Sequence, residues 1–150
     1  MPPFVAMLKV KEMSPAEIGA LLRRGKTGHL GCSRDGHPYV VPMNYAFDAG
    51  CLYFFTTEGT KTEYISANHE VCFQVEEVAD VRNWSSVMAL GPAERLDKPE
   101  EMERAMQLIA KRNPTLEPAV NETKIGSWRR FNNIIIYRVR PHSLHGRKTA

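Results

Sequence analysis

The sequence has few of the features that mark specialised classes of protein. Its 150 residues include 3 cysteines, Cys32, Cys51 and Cys72, which are widely spaced and form no CxxC pair. An odd number of scattered cysteines argues against a disulfide framework and against a zinc site, so we expect free, mostly buried thiols in a reducing compartment. No metal site is predicted, because His142 and His145 in the tail have no third ligand nearby.

Long apolar runs and strong charge of one sign are also missing. The N-terminus lacks the apolar run of a signal peptide, and no stretch approaches the ~18 apolar residues of a membrane span. The net charge of +3 is mild and evenly spread, which gives no electrostatic footprint for nucleic acid. A GxGxxG fingerprint is absent, so a Rossmann domain is not expected. We therefore expect a cytoplasmic protein that binds neither membranes nor nucleic acid.

The composition itself is that of an ordinary globular protein. Hydrophobic residues make up 43% of the chain and charged residues 25%. A chain of this length suits a single domain, residues 1–150, that buries roughly 70% of its unfolded surface.

The stretch Gly36–Lys61 organises the rest of the chain. Every second residue between positions 39 and 47 is large and apolar, namely Tyr39, Val41, Met43, Tyr45 and Phe47. This period of two predicts a strand over Tyr39–Phe47. Arg34-Asp35-Gly36 and Asp48-Ala49-Gly50 are typical of turns, and Leu52–Thr57 is a second run of aromatic and β-branched residues. The pattern predicts an antiparallel hairpin.

The remaining elements follow from similar signals. Further strands are predicted over Thr27–Ser33, Val71–Val75, Ser85–Leu96 and Asn133–Val139. Gly91-Pro92 predicts a bulge or bend within the third of these. The basic tail from Arg138 to Lys148 is expected to be a solvated terminus.

Three helices are predicted by their end signals. The first has a capping box at Ser14-Pro15-Ala16-Glu17 and ends at Gly25. The second is opened by a capping box of Thr60 and Glu63 and is broken by Asn68-His69. The third, Pro99–Arg112, is amphipathic and is stopped by Asn113-Pro114. Six strands with helices inserted singly favour a small antiparallel barrel over a doubly wound sheet.

Two local features suggest a ligand site. Pro42 lies in the middle of a predicted strand and cannot donate to a sheet ladder, which leaves neighbouring peptide groups free. Thr60 and Lys61 open a helix, where backbone N–H groups and a cation suit a phosphate. A protected edge strand and a plain capped helix with a solvated lysine would explain the same residues.

The succession of these motifs resembles a known family. Asp35–Pro42 (DGHPYVVP), an aromatic strand, Gly59-Thr60-Lys61, Tyr64-Ile65 and Ala67-Asn68 follow one another in the order and spacing of the FMN-binding split β-barrel, the superfamily of pyridoxamine 5′-phosphate oxidase. The resemblance covers roughly Met13 to Leu96. It is strongest to the pyridoxamine-oxidase-related proteins and the 5-nitroimidazole-resistance flavoproteins. It implies a mainly β (α+β) fold, a six-stranded antiparallel Greek-key split barrel with peripheral helices.

The resemblance also implies an FMN site. Its predicted residues are Val41, Pro42, Met43, Asn44, Phe55, Thr56, Thr60, Lys61, Trp84, Ser85 and Ser86. In this assignment the proline strand lines the flavin ring, Phe55 and Thr56 stack on or bond to it, and Lys61 meets the phosphate. The segment Trp84–Ser86 would reach the flavin across the interface of a homodimer.

The expected activity is the reduction of small electron-poor molecules, of the nitroaromatic or quinone type, with NAD(P)H as a possible transient donor. The flavin does the redox work, and no catalytic acid or base is assigned. Vitamin B6 oxidation is not expected, because Tyr39-Val40 replaces the arginine of pyridoxamine oxidase proper, and Ser127-Trp128-Arg129-Arg130 lacks the proline of its C-terminal signature. The aromatic residues considered for a substrate slot are Tyr45, Phe47, Phe55, Trp84 and Trp128.

Two alternatives stay open from the sequence. An FMN-binding sensor or storage protein without catalysis would carry the same residues. A split barrel can also hold haem, with His29, His37 or His69 as axial ligand. Among the mid-chain histidines, His37 and His69 are also the candidates to protonate a substrate.

Overall fold

The computed structural model describes residues 7–113 and 134–150. The elements in this part of the chain are β1 Val10–Glu12, α1 Pro15–Arg24, β2 Thr27–Arg34, β3 His37–Asn44, β4 Ala46–Asp48, β5 Cys51–Thr57, α2 Thr60–Ala67, β6 Glu70–Asp80, β7 Asn83–Arg95, α3 Pro99–Arg112, β8 Ile134–Val139 and β9 Ser143–Thr149.

The strands form an antiparallel sheet that curves around one main core. Its order is β3-β2-β6-β7-β8-β5-β4, with β9 also beside β7 and β1 beside β9. This is the split β-barrel with peripheral helices that the sequence predicts. The described residues contain nine strands where six were predicted. Two of the additional strands, β1 and β9, pair with each other, and the third arises because one predicted strand is divided.

The predicted strand Tyr39–Phe47 is divided at Tyr45. β3 pairs with β2, and Thr27 lies opposite Asn44. β4 pairs instead with β5, and Ala46 lies opposite Tyr53. The predicted hairpin is therefore limited to β4 and β5. The single-strand prediction is wrong because alternation shows which side chains face the core and does not show which strand each half pairs with.

Tight turns join β2 to β3 and β4 to β5. Asp35 and Gly36 have φ of 49° and 78°, and Ala49 and Gly50 have φ of 50° and 80°. Two central residues with positive φ make a type I′ turn, whose twist matches that of the flanking strands. Both turns lie where the sequence predicts them.

Gly91-Pro92 does not form the expected bulge. The β6–β7 register runs straight through this point, and its irregularity lies between Val78 and Asp80. At Gly91-Pro92 the other neighbour of β7 changes, from β9 to β8. A Cβ on Gly91 would lie 2.5 Å from the carbonyl oxygen of Arg140. Glycine is needed here because the connection between β8 and β9 crosses directly over the strand.

The basic tail is part of the sheet, contrary to the expectation of a solvated terminus. β9 pairs with β7 along residues 143–148, and β1 pairs with β9 on its other side. Its sequence SLHGRKT has no apolar alternation, so the strand signal is missing. β9 is held instead by main-chain pairing with β7 on one side and β1 on the other.

The core consists of two clusters on opposite faces of β5. Inside the barrel lie Leu30, Phe54 and Phe73, which are fully buried. Outside it, Phe55 and Tyr53 pack with Leu96, Ala105, Met106 and Ile136 beneath α3. Successive side chains of β5 therefore pack in two different apolar clusters. Because both faces of the strand are buried, Leu52–Thr57 is a nearly continuous apolar run.

The cysteines agree with the sequence analysis. Cys32 and Cys51 are buried, Cys72 is half-buried, and all three are free. Among the described residues, none of the helices is both long and apolar enough to span a membrane.

The first helix is attached to the C-terminal strand through its capping box. The Ser14 N–H donates to Glu17 Oε1 at 2.9 Å, and the Glu17 N–H donates to Ser14 Oγ at 3.2 Å. Lys148 of β9 also donates to the Glu17 carboxylate. These contacts lower the pKa of Glu17 to about 2, chiefly through the hydrogen bond from Lys148.

This contact predicts a pH-dependent contribution to stability. A carboxyl whose pKa falls on folding stabilises the fold above its unfolded pKa of 4.5, and this contribution is lost as the pH falls toward about 2. We expect Glu17→Gln to destabilise the protein at pH 7, with the difference from wild type shrinking across that interval. Urea unfolding monitored by circular dichroism at several pH values measures it.

Glu76→Gln is the matched control, because Glu76 is exposed and forms no ion pair in the described part of the chain. An equal pH dependence of the two variants would contradict the assignment to the Glu17–Lys148 contact.

Candidate functional site

β3 is an edge strand of the sheet. Within the described residues it pairs with β2 alone, and Pro42 lies opposite His29. Pro38, Val40 and Pro42 alternate outward, and Val40 is 66% exposed. The predicted ligand residues Val41–Asn44 thus offer unpaired backbone groups along the side that faces away from β2. Prolines at the outward positions protect such an edge against further strand pairing, so both interpretations of Pro42 agree with the geometry.

The start of α2 differs from the prediction in its capping residue. The N-cap is Gly59, which makes Thr60 and Lys61 the first two helical residues. The side chain that satisfies the cap is Thr62, whose Oγ1 accepts from the Gly59 N–H at 2.9 Å. The capping box of Thr60 and Glu63 is therefore wrong. Thr62 is the residue three positions after Gly59, where a hydroxyl reaches back to the cap.

Lys61 has no ion-pair partner in the described part of the chain. Its side chain is half-buried beside the β2–β3 end of the barrel. Burial raises the pKa of Cys32, Cys72 raises it further, and Lys61 opposes both, which places the ammonium in electrostatic range of that thiol. Three residues along the helix, the ring of Tyr64 lies 5.6 Å from the ring of Tyr39 on β3. α2 therefore begins with an unpaired cation, and its Tyr64 contacts the edge strand.

Phe55 and Thr56 lie on opposite faces of β5. The ring of Phe55 packs in the cluster beneath α3 and is used there as core. Thr56 follows on the barrel side, where its Oγ1 donates to the Thr57 carbonyl at 3.3 Å. Of this predicted pair, Thr56 alone has its side chain on the barrel side. Tyr45, considered as a slot residue, is fully buried in the core.

The segment Trp84–Ser86 begins β7, three strands away from β3. Ser86 Oγ accepts from the Gln74 amide at 2.9 Å. The side-chain oxygen Oε1 of Gln74 lies 3.2 Å from Nδ1 of His29. The Trp84 N–H donates to the Thr149 hydroxyl at 3.1 Å. The sequence does not predict this network of His29, Gln74 and Ser86. The alternation of apolar and polar residues places each of the three on the outward face, but it does not show which residues of neighbouring strands lie opposite one another.

The predicted residues that remain therefore lie at three places. We call Val41–Asn44 of β3 with Thr60 and Lys61 of α2 the edge group, since Tyr64 of α2 contacts Tyr39 of β3, and we call Trp84–Ser86 the β7 group. Thr56 lies on β5, which pairs with β4 and β8. With about 4.8 Å between strands, the crossing from β3 over β2 and β6 to β7 measures roughly 14 Å. One chain alone does not bring the two groups together across the sheet.

Among the described residues, no element covers the outward side of the sheet between the two groups. Residues opposite one another in an antiparallel sheet share a face, so one row contains Pro42, His29, Gln74, Met88 and His145. We call this surface the outer face. Apolar side chains on it are exposed: Val40 by 66%, Val78 by 59% and Met88 by 40%.

The histidines are not gathered into a metal site. Among residues 7–113 and 134–150, no group of three potential ligands is close enough to hold a metal ion. His142 lies 2.6 Å from Glu70, and His145 lies 2.7 Å from the Ser143 hydroxyl. His37 is in a turn and contacts the Asp35 carbonyl at 3.1 Å. Trp128 and the segment Ser127–Arg130 lie outside the described residues.

Comparison with known proteins gives a match over most of the chain. The model of the family described as pyridoxamine 5′-phosphate oxidase matches residues 14–148. A curated but uncharacterized protein of Rhizobium meliloti (strain 1021) is 33% identical over 113 residues, which cover 73% of this chain and 75% of that protein.

Solved structures resemble the whole fold. An FAD-binding protein from Mesorhizobium loti superposes with a TM-score of 0.76 at 28% identity, covering 96% of this chain and 99% of that one. A Bacteroides thetaiotaomicron protein, provisionally named a 5-nitroimidazole antibiotic resistance protein, gives 0.75 at 23% identity, covering 95% and 89%. A haem-binding protein from Mycobacterium smegmatis gives 0.70 at 13% identity, covering 88% of this chain and 53% of that one, and it shows the fold alone.

Proposed function

Since the chain belongs to the pyridoxamine 5′-phosphate oxidase family, we propose that it is an FMN-binding flavoprotein that reduces small electron-poor molecules. The observation that carries the proposal is the unpaired Lys61 at the start of α2, the helix that packs against the open edge strand β3 through Tyr64 and Tyr39. These two elements offer different chemistry to two different parts of one cofactor.

The start of α2 suits the phosphate. The first backbone N–H groups of a helix have no intrahelical acceptor, and the helix dipole adds a partial positive charge. The cap hydroxyl of Thr62 satisfies Gly59, while Thr60 and Lys61 are left to face a ligand. Glu58 accepts a hydrogen bond from Thr62 at 3.0 Å and contacts Arg95 at 3.5 Å. The carboxylate of Glu58 is therefore paired with these two residues and not with Lys61.

The edge of β3 suits the ring system. The pyrimidine part of a flavin carries hydrogen-bond donors and acceptors along one edge, and Val41–Asn44 offer backbone groups along a strand edge. Half-buried Val41 and Met43 supply apolar surface next to them. Bound there, the flavin supplies the redox chemistry, while the chain binds it, orients it and limits the access of water.

The β7 group completes the site if a second copy of the chain contributes it. The roughly 14 Å between the groups in one chain is too large for one ring edge to bridge, and the exposed outer face lies between them. A second copy packed on the outer face would cover Val40 and Met88 and bring its Trp84–Ser86 to the edge group. We therefore propose a homodimer with FMN at the subunit interface.

The electron acceptor is proposed to be a small flat molecule, such as a nitroaromatic compound or a quinone, that stacks on the reduced flavin. NAD(P)H would bind transiently as donor, since the sequence has no dinucleotide-binding fingerprint. The absorption spectrum of the purified protein and chromatography of the released cofactor test the assignment. Released FMN supports it, released FAD would contradict the choice of flavin, and a Soret band would indicate haem.

Lys61→Ala tests the phosphate contact. Loss of a charge-assisted hydrogen bond should weaken FMN binding by ~1.5–3 kcal/mol, while riboflavin, which lacks the phosphate, should lose little. Fluorescence titration of the apoprotein with both ligands measures this. Lys111→Ala removes an exposed lysine from the far end of α3 and serves as the matched control. Equal weakening of both ligands by Lys61→Ala would rule out the phosphate contact.

Dilution tests the composite site. If both copies contribute to the pocket, FMN and dimer formation stabilise each other by linkage. We expect flavin to be released over the same concentration range in which sedimentation detects dissociation of the dimer, and added FMN to shift that range downward. Full occupancy on a demonstrated monomer would refute the interface site.

Reoxidation kinetics test the activity. Chemically reduced protein, with oxygen excluded, should be reoxidised faster by a nitroimidazole or a quinone than free reduced FMN is. Trp84→Ala should slow this step more than it weakens FMN binding, because the half-buried Trp84 is available to cover one face of the ring. Stopped-flow absorbance measures both rates. A bound flavin that reacts no faster than free flavin with a panel of acceptors would leave an FMN-binding protein without this activity.

A further inference from the structure

A cleft of about 570 Å³ opens at the end of the barrel beside α2. Arg34 at the end of β2, Arg95 at the end of β7 and Glu58 after β5 line it, together with the buried side chains of Ile65, Ala93 and Tyr137. None of the residues predicted to bind the flavin lines this cleft. It is therefore a separate opening, on a different side of α2 from the one that carries Lys61.

The hydroxyl of Tyr137 is available to a ligand. The residue is 3% exposed, and no hydrogen bond holds its hydroxyl within the described part of the chain. In the described residues, every side-chain nitrogen or oxygen that is fully buried has a hydrogen-bond partner. Because the Tyr137 hydroxyl has none, it is in contact with solvent, and Tyr137 lines the cleft. Burial raises the pKa of Tyr137, so the hydroxyl stays protonated and can donate a hydrogen bond.

The two arginines of the cleft are weakly engaged. Arg95 lies 3.5 Å from Glu58, and Arg34 lies 3.8 Å from its neighbour Asp35. Such long, exposed contacts contribute little and leave most guanidinium donors free. Arg138, by contrast, is held by two carboxylates at 2.9 and 3.0 Å. The free donors therefore converge on the cleft from two different strands.

We propose that this cleft binds a small organic carboxylate. Arg95 and Arg34 donate to the carboxylate in the fork geometry that a guanidinium offers, and the Tyr137 hydroxyl donates to one of its oxygens. Ile65 and Ala93 supply apolar surface for the rest of the molecule. Glu58 and Glu63 also line the cleft, and their charges favour a ligand with one negative charge over a dianionic phosphate.

The test uses the full-length protein in the flavin state in which it purifies. Acetate, benzoate and 3-phenylpropionate are titrated by calorimetry and by amide NMR shifts, and acetamide, benzamide and 3-phenylpropanamide serve as their uncharged analogues. We expect at least one carboxylate to bind and shift amides of α2 and of the ends of β7 and β8. The amide analogue of the tightest one should bind at least about tenfold more weakly, since charged pairs are roughly twice as strong as neutral ones.

Three variants separate the cleft from general effects. Arg95→Gln should weaken the carboxylate at least about tenfold, and Tyr137→Phe, which keeps the ring, about three- to tenfold. Arg104→Gln is the matched control, because Arg104 is an exposed arginine outside the cleft that pairs with Asp48. The variants should leave flavin affinity unchanged, which makes the test independent of the flavin proposal.

The proposal is overturned if none of the three carboxylates binds at millimolar concentration, or if the amide analogue binds as tightly as its acid. An equal loss of binding in Arg104→Gln would also overturn it. Displacement of flavin by the carboxylate would show that the cleft belongs to the flavin site, which contradicts a separate site.

Discussion

The buried position of Tyr45 is the constraint on which the split of the barrel depends. Its side chain is fully buried, and its hydroxyl donates to the Leu22 carbonyl at 2.7 Å. Its N–H donates to the Lys26 carbonyl at 3.1 Å, and its own carbonyl accepts from Asn113 at 3.3 Å. One residue is thus tied to the end of α1, the start of β2 and the end of α3. Moving Tyr45 would cost free energy, because its buried hydroxyl would lose its hydrogen-bond partner inside the core.

The divided strand accounts for the candidate site. Because β3 leaves its path at Tyr45 and β4 joins β5, β3 has no second neighbour in the described chain. An open strand edge in a folded protein invites pairing with another chain, and here Pro38 and Pro42 prevent a regular ladder while leaving some peptide groups free. α2 then packs its Tyr64 against Tyr39 of the same strand. A strand edge and a helix start, each common alone, together form the proposed ligand site.

The polar end of the barrel has a different character from this edge. There, charged residues of both signs surround a tyrosine hydroxyl, whereas the edge offers backbone groups and one cation. α2 separates the two places. Its Thr62 faces the cleft and donates to Glu58, while Tyr64 faces β3, so nearby positions of one short helix belong to two surfaces. This is the ordinary consequence of a helical period of 3.6 residues.

The sequence by itself determined the type of the main elements, the places of both tight turns, the first helix cap and the family, because these depend on local periodicity, turn chemistry and motif order. Apart from the β4–β5 hairpin, tertiary structure decided which strands pair. It divided Tyr39–Phe47, recruited the polar segment Ser143–Thr149 as β9, and assigned Phe55 to the cluster beneath α3. It also brought Arg34, Arg95 and Tyr137 to one cleft. Pairing and convergence depend on contacts between residues far apart in the chain, and a local pattern carries no information about such contacts.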